Sequence, residues 1–193
     1  MKTSLIAYSV NGAPYEGVLV YDGSVTALRP ALLLAPDWMG VSDLSVSHAL
    51  HLAATGYVVF VADMYGTGRR PKNPDKAAAL AGPLKDDIAE ARRRARGALE
   101  ALRSASRHLI AAAPPAAIGF CFGGANVLEL CRAGTDLSAA ISIHGDLGAR
   151  EPAAPGAIRS PVLVIHGAAD QLYRTRNVMR SKPKWMRPAR AGR

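Results

Sequence analysis

The sequence predicts an α/β fold, a mostly parallel sheet with helices on both of its faces. Three observations carry this expectation. From residue 31 onward, apolar runs of five or six residues alternate with longer stretches of helical periodicity. The runs are continuously apolar, the pattern of strands buried on both faces rather than half-solvated ones. At 193 residues the chain suffices for one sizeable core and is too short for two ordinary domains.

Taken in order, Leu5–Val10 and Gly17–Tyr21 read as a short antiparallel pair. Ala31–Ala35 (ALLLA) is a buried strand closed by Pro36-Asp37. Leu44–Thr55 is helix-like and stops at Gly56, as a C-terminal glycine would. Tyr57–Ala62 (YVVFVA), β-branched and aromatic, is a second buried strand. Met64–Pro83, with Pro71, Pro74 and Pro83, reads as a loop with one short helix around Lys76–Leu80. Lys85–Ala105 is helical, with an apolar stripe of Ile88, Ala91, Ala95, Leu99 and Leu102. Asp86 and Asp87 in its first turn and Arg103 in its last complement the helix dipole. Its run Arg92, Arg93, Arg94 and Arg96 reads either as a phosphate-binding patch or, the favoured reading, as a solvated face. Ala116–Phe120, Ser138–Ile143 and Pro161–Ile165 are three further strands, with a helix Gly123–Arg132 after the first. Right-handed crossovers follow by default.

No stretch approaches the 18 or so apolar residues of a membrane helix. The N-terminal run is broken at Ser9 and Asn11, a poor signal peptide, so a cytoplasmic protein is expected. Cys121 and Cys131 lie on one predicted helical segment, where ten residues at ~1.5 Å rise separate them by ~15 Å, too far for a disulfide. Each is expected as a free thiol.

The strongest local signal is Gly119-Phe120-Cys121-Phe122-Gly123-Gly124, between a predicted strand and a predicted helix. This is the layout of a nucleophile elbow, G-x-S-x-G, with Cys in place of Ser. The sharp strand-to-helix turn needs small residues two positions before and after the nucleophile, which Gly119 and Gly123 supply. The Phe122 N–H would point at a developing oxyanion, and the helix N-terminus would stabilise a thiolate. The blander alternative is a buried, inert structural cysteine. Cys131, in mid-helix beside Leu128 and Leu130, reads as core filler.

With the elbow in place, the chain resembles the dienelactone hydrolase family of α/β hydrolases, which use a Cys–His–Asp triad. The segments that carry the resemblance are APDWMG, ADMYGTGRRP, IGFCFGG, SIHGDLG and PVLVIHGAAD, in order, over roughly residues 10 to 170. The resemblance implies the α/β-hydrolase fold. It implies Cys121 as nucleophile and Asp170 as the triad acid, although a turn-forming Asp is the ordinary reading of Asp170 alone. Asp37 falls where the family places an acidic residue against the resting cysteine. The Trp38 N–H would be the second oxyanion-hole donor, beside Phe122. The implied chemistry is acyl transfer from a small ester or lactone, with no cofactor. Arg69 and Arg70, in the loop expected to line the pocket, would attract a substrate carboxylate or simply serve solubility.

The family's histidine would fall some thirty residues beyond the acid, near position 200. His144 and His166 close strands in His-Gly turns and fit the family's pattern at structural positions. His48, His51 and His108 read as surface residues. No pair has metal-ligand spacing, so no metal is expected.

The net charge of +9 resides in the tail: residues 174–193 hold eight basic and no acidic residues, leaving 16 basic against 15 acidic in the rest. The expected organisation is an α/β-hydrolase domain over 1–171, incomplete at its C-terminus and lacking the last strand and helix, followed by a disordered basic tail over 172–193. A frameshift or premature end near Leu172 accounts for this text. An inactive remnant keeping a reactive thiol is one alternative. A basic tail that binds nucleic acid is the less favoured one. A membrane partner is not expected.

Overall fold

The computed structural model describes residues 1–170; the expected basic tail, residues 172–193, lies outside the described residues. Seven strands form one sheet: β1 (Lys2–Val10), β2 (Ala13–Tyr21), β3 (Ala31–Ala35), β4 (Val58–Val61), β5 (Ala116–Phe120), β6 (Ala140–Ile143) and β7 (Val162–Ile165). Four helices accompany them: α1 (Asp43–Ala54), α2 (Pro74–Asp86), α3 (Ile88–Ala105) and α4 (Phe122–Arg132). The strand order is β1-β2-β4-β3-β5-β6-β7. β4, β3, β5, β6 and β7 run parallel, while β2 is antiparallel to both β1 and β4. This is the mostly parallel sheet of an α/β-hydrolase fold.

Period-two alternation divides the core into two layers. Leu33 and Phe60 pack with Ala95, Leu99, Leu102, Val127 and Leu130 of α3 and α4. Leu32, Leu34, Val59 and Val61 pack with Ala49 and Ala53 of α1. Because both faces are covered, all five residues of ALLLA are buried, which is why that strand reads as an unbroken apolar run.

The termini of the elements carry their own chemistry. Ser42 caps α1 through a reciprocal box: its Oγ accepts from the Ser45 N–H, and Ser45 Oγ accepts from the Ser42 N–H. The β1–β2 pair is longer than the sequence suggests, nine residues on each side. Asn11 and Gly12, at φ 50° and 80°, make the two-residue left-handed turn that sets its register.

Two expectations need correction. The loop expected over Met64–Pro83 contains a full helix, α2, of 13 residues. Asn73 Oδ1 accepts from the Lys76 N–H, and Pro74 takes the first helical position, where its missing N–H costs nothing. Ala77, Ala81 and Leu84 bury one stripe, and the alanine run tolerates Pro83 in the last turns. Consequently α3 begins at Ile88, with Asp87 as its cap and Lys85 and Asp86 in the preceding helix.

The arginine run is a solvated face only in part: Arg93 and Arg96 are exposed, but Arg92 and Arg94 are half-buried. Arg92 pairs with Glu129 and Glu151, Arg93 and Arg94 with Glu90. Arg94 also donates to the Met64 carbonyl and Arg96 to that of Ala133. Arg92 and Arg96 fasten α3 to α4 and its C-terminal cap, and Arg94 fastens it to the turn after β4.

At the other side of the sheet, β7 is the outermost strand among the described residues, and Leu163 and Ile165 are half exposed. No described helix is long and apolar enough to cross a membrane.

Candidate active site

The end of β5 turns into α4 at Cys121, whose backbone adopts φ 52° and ψ −114°. A non-glycine residue there is strained, by about 1–3 kcal/mol, and persists only where its surroundings over-determine it. They do so here. The Cys121 N–H donates to the Ile143 carbonyl at 2.8 Å, and the Cys121 carbonyl accepts from the Ala125 N–H at 3.2 Å. A Cβ on Gly119 would strike the Gly123 carbonyl, and one on Gly123 would strike the Ala35 carbonyl. The two glycines are the steric condition for the turn, as the motif requires.

Cys121 is half-buried and, like Cys131, a free thiol. Its pKa is raised above the ordinary 9.0. Burial is the largest cause; the Phe122 N–H works against it, as does Lys85, while the Asp37 and Asp170 carboxylates add to it. The expected thiolate at a helix N-terminus is therefore only partly realised: the N–H contributes, but desolvation and two anions outweigh it, and the resting group is a thiol. Cys131 is buried, with Sγ 3.6 Å from Ser160 Oγ.

The loop after β3 brings Asp37 and Trp38 to the same end of the sheet. Asp37 Oδ1 accepts from the Met39 N–H at 2.8 Å, and its carbonyl accepts from Gly40 at 3.0 Å. The carboxylate thus holds its own turn and bears on Cys121 through its charge. Within the described residues no hydrogen bond takes up the Trp38 N–H.

Beyond β7, the Asp170 side chain is almost wholly buried, 4% exposed, and His144 Nδ1 lies 2.6 Å from its Oδ2. His166 Nε2 lies 3.5 Å from the same oxygen. The two imidazoles stack with centroids 6.2 Å apart. His144, at φ 56°, is the second strained non-glycine residue at this edge. His51 and His108 are exposed, as expected, but His48 is half-buried and stacks on Phe120 at 4.4 Å.

Arg70 pairs with Glu16 at 3.0 Å. Arg69 lines a cavity of about 270 Å³ with Tyr65, Leu80 and Glu90. A larger cavity, about 360 Å³, opens along α4, lined by Leu84, Lys85, Ile88, Phe122, Asn126 and Arg150 among others. Lys85, Asn126 and Tyr65 escaped sequence reasoning. Lys85 belongs to the last turn of α2, whereas the sequence places it at the start of the next helix, and Tyr65 acts through contacts distant in the chain. Among the described residues no cluster of His, Cys, Asp and Glu has the makings of a metal site.

The chain has relatives among proteins of solved structure. It is similar in structure to m3DLH, with 33% identity and a TM-score of 0.85 over 96% of this chain and 76% of that one. It is also similar to a dienelactone hydrolase-like promiscuous phosphotriesterase from metagenomic libraries (32% identity, TM-score 0.83, 92% and 73% covered). The dienelactone hydrolase from Anabaena variabilis ATCC 29413, 21% identical with a TM-score of 0.64 over 88% and 74% of the two chains, shares the fold. No curated protein matches the sequence. The dienelactone hydrolase family model matches residues 16–186, so that this chain, a hydrolase by fold and by family, belongs to the dienelactone hydrolase family.

Proposed function

We propose that this chain hydrolyses small esters or lactones, with Cys121 as nucleophile. The observation that carries the proposal is the strained Cys121 at the strand-to-helix turn, with the Asp37 and Asp170 carboxylates both close enough to shift its ionisation. A structural cysteine needs neither the strain nor the two anions.

In this reading the Cys121 thiol loses its proton as Sγ attacks the carbonyl carbon and a C–S bond forms. The carbonyl oxygen becomes an oxyanion held by the N–H groups of Trp38 and Phe122. The C–O bond to the alcohol then breaks, and the alkoxide takes up the proton. Water attacks the thioester, the C–S bond breaks, and acid and thiol are released.

The proton carrier is a histidine oriented by Asp170. Among the described residues His144 and His166 approach the Asp170 carboxylate, at 2.6 and 3.5 Å. His144, the nearer of the two, is the first residue to test for that role.

The 360 Å³ cavity reaches Phe122, the neighbour of Cys121, and is the candidate place for the acyl part of the substrate, with a volume at the small end of ligand pockets. The relative named as a promiscuous phosphotriesterase, at 32% identity, makes a phosphotriester the second electrophile to assay. Arg69 and Arg70 are the proposed attraction for a substrate carboxylate, with Arg70 the weaker of the two because Glu16 already holds it.

The test is turnover of p-nitrophenyl acetate by the chain and by Cys121→Ala, alongside iodoacetamide labelling located by mass spectrometry. Turnover lost in Cys121→Ala, with label on Cys121, supports the proposal. Label on Cys121 without turnover favours the alternative, a remnant that keeps a reactive thiol. Turnover retained by Cys121→Ala rejects the nucleophile assignment.

A further inference from the structure

The two N–H groups assigned to the oxyanion come from loops far apart in sequence, after β3 and after β5, so something must fix their relative position. Tyr65 touches both loops. Its hydroxyl donates to the Trp38 carbonyl at 2.7 Å. Its ring stacks on Phe122, with centroids 6.1 Å apart and planes 17° from parallel. We propose that Tyr65 is a positioning residue that sets the geometry of the oxyanion hole, an assignment that rests on the hydrolase reading above.

The anchoring is specific. The peptide that carries the Trp38 N–H is held on one side by the Asp37 carbonyl accepting from Gly40. The next peptide is fixed from both edges: the Met39 N–H donates to Asp37 Oδ1 at 2.8 Å, and the Trp38 carbonyl accepts from the Tyr65 hydroxyl. Gly40, at φ 67°, lies against the Tyr65 ring, where a Cβ would come within 3.1 Å of two ring carbons. Tyr65 is itself immobilised: it is 3% exposed, and Asp63 Oδ1 accepts from its N–H at 2.9 Å and from that of Gly66 at 3.0 Å. Burial first, then the nearby carboxylates, raise the phenol's pKa well above its ordinary value, so the hydroxyl remains a donor at any working pH. A rigid ring between two loops, bonded to one and stacked on the other, defines the spacing of the two donors, and preorganised spacing is what gives such donors their effect.

Tyr8 provides a matched control. Its hydroxyl donates to the Asp63 carbonyl at 2.9 Å, an equally buried tyrosine bond on the same turn that touches neither Trp38 nor Phe122. Tyr65→Phe and Tyr8→Phe each remove one buried hydroxyl and keep the ring.

The experiment compares wild type, Tyr65→Phe and Tyr8→Phe in three readouts: kcat and KM for p-nitrophenyl acetate, the affinity of a small aliphatic aldehyde that adds reversibly to the Cys121 sulfur, and the rate of iodoacetamide alkylation. The aldehyde adduct places an oxygen in the hole; alkylation does not use the hole. Tyr65→Phe is expected to lower kcat and aldehyde affinity by about tenfold, less than deleting a donor outright. KM and the alkylation rate should stay within about twofold, and Tyr8→Phe should change none of the four beyond that. Equal kcat and equal aldehyde affinity in the two variants overturn the assignment of Tyr65 while leaving the hydrolase reading intact. A wild type that neither turns over ester nor binds the aldehyde overturns the hydrolase reading, and the assignment falls with it.

Discussion

His144 Nδ1 meets Asp170 Oδ2 at 2.6 Å, joining the residue just after β6 to the one that follows the turn after β7. The contact sets an imidazole nitrogen beside a nearly buried carboxylate, the kind of pairing by which a triad acid orients its base. A positioned acid–base group contributes about 10²- to 10⁴-fold to rate. His144→Gln is therefore expected to lower kcat for p-nitrophenyl acetate by about a hundredfold or more. His166→Gln, whose ring lies at 3.5 Å from the same oxygen, should lower it by less than about tenfold. Equal kcat in wild type and His144→Gln would show that the proton moves by another route.

The raised pKa of Cys121 makes a prediction about pH. Iodoacetamide reacts with the thiolate, so the alkylation rate should rise with pH to a midpoint above 9.0, the ordinary thiol value. Asp37→Asn removes one of the anions that raise the value and should move the midpoint down; Lys85→Met removes an opposing cation and should move it up. The same shift bears on stability. The folded-state value lies above the unfolded one, so the contribution is fully present below pH 9.0 and is lost as pH rises through the folded value. Rate against pH for the three proteins checks the order; a Cys121 midpoint below the ordinary value would contradict the burial argument.

Some of this site was legible in the sequence and some was not, for physical reasons. The elbow could be read because its requirements are local: two glycines within two residues of the nucleophile, where a Cβ would meet backbone. The central strands could be read because burial on both faces leaves an uninterrupted apolar run, as in Leu32–Leu34. Helix α2 was hidden by Pro74 and Pro83, although Pro74 occupies the one helical position that welcomes proline. The pairing of Arg92 was hidden because a helix face reveals nothing of its neighbour; its partner Glu129 is 37 residues away. Tyr65 likewise reaches Trp38 across 27 residues, and no periodicity encodes such a contact.

The elbow glycines yield a prediction in which sterics and chemistry separate. In Gly119→Ala and Gly123→Ala the new methyl group meets backbone rather than a movable side chain, so relief requires shifting β3 or α4. The cost is expected to reach about 3 kcal/mol or more in each case. Gly82→Ala is the reference, since a Cβ there meets nothing within 4 Å; on a helix it should stabilise by about 0.4–1 kcal/mol. Urea unfolding of the three variants tests the ranking, which an elbow glycine as tolerant as Gly82 would break.

The largest single-residue effect on stability is expected at Glu129, which stands between two guanidiniums in the interior. Arg132 Nη1 lies 2.6 Å from Glu129 Oε1 and Arg92 Nη2 2.7 Å from Oε2. The Glu129 and Arg132 side chains are 6% and 3% exposed, and Arg92 is 19% exposed. Arg132 also donates to the Leu147 carbonyl at 2.9 Å, so the cluster ties α3 and α4 to the loop that leads away from β6. Removing one member of a buried ion cluster costs about 3–5 kcal/mol, chiefly because the remaining charges lose their compensation. Glu129→Ala leaves two cations facing each other and should fall in that range. Arg150→Ala breaks a pair of similar length, 2.7 Å to Asp86, but both partners are more than half exposed, and such a pair is worth about 0–1 kcal/mol. Distance alone would rank the two alike; desolvation separates them. Glu129 and Arg150 both line the 360 Å³ cavity, so either change can raise KM for the ester, but Arg150→Ala should lower the melting temperature by no more than about 4 °C. Parallel urea titrations and KM measurements on the two variants would read both effects, and a Glu129→Ala protein as stable as Arg150→Ala would mean that the cluster's charges are solvated after all.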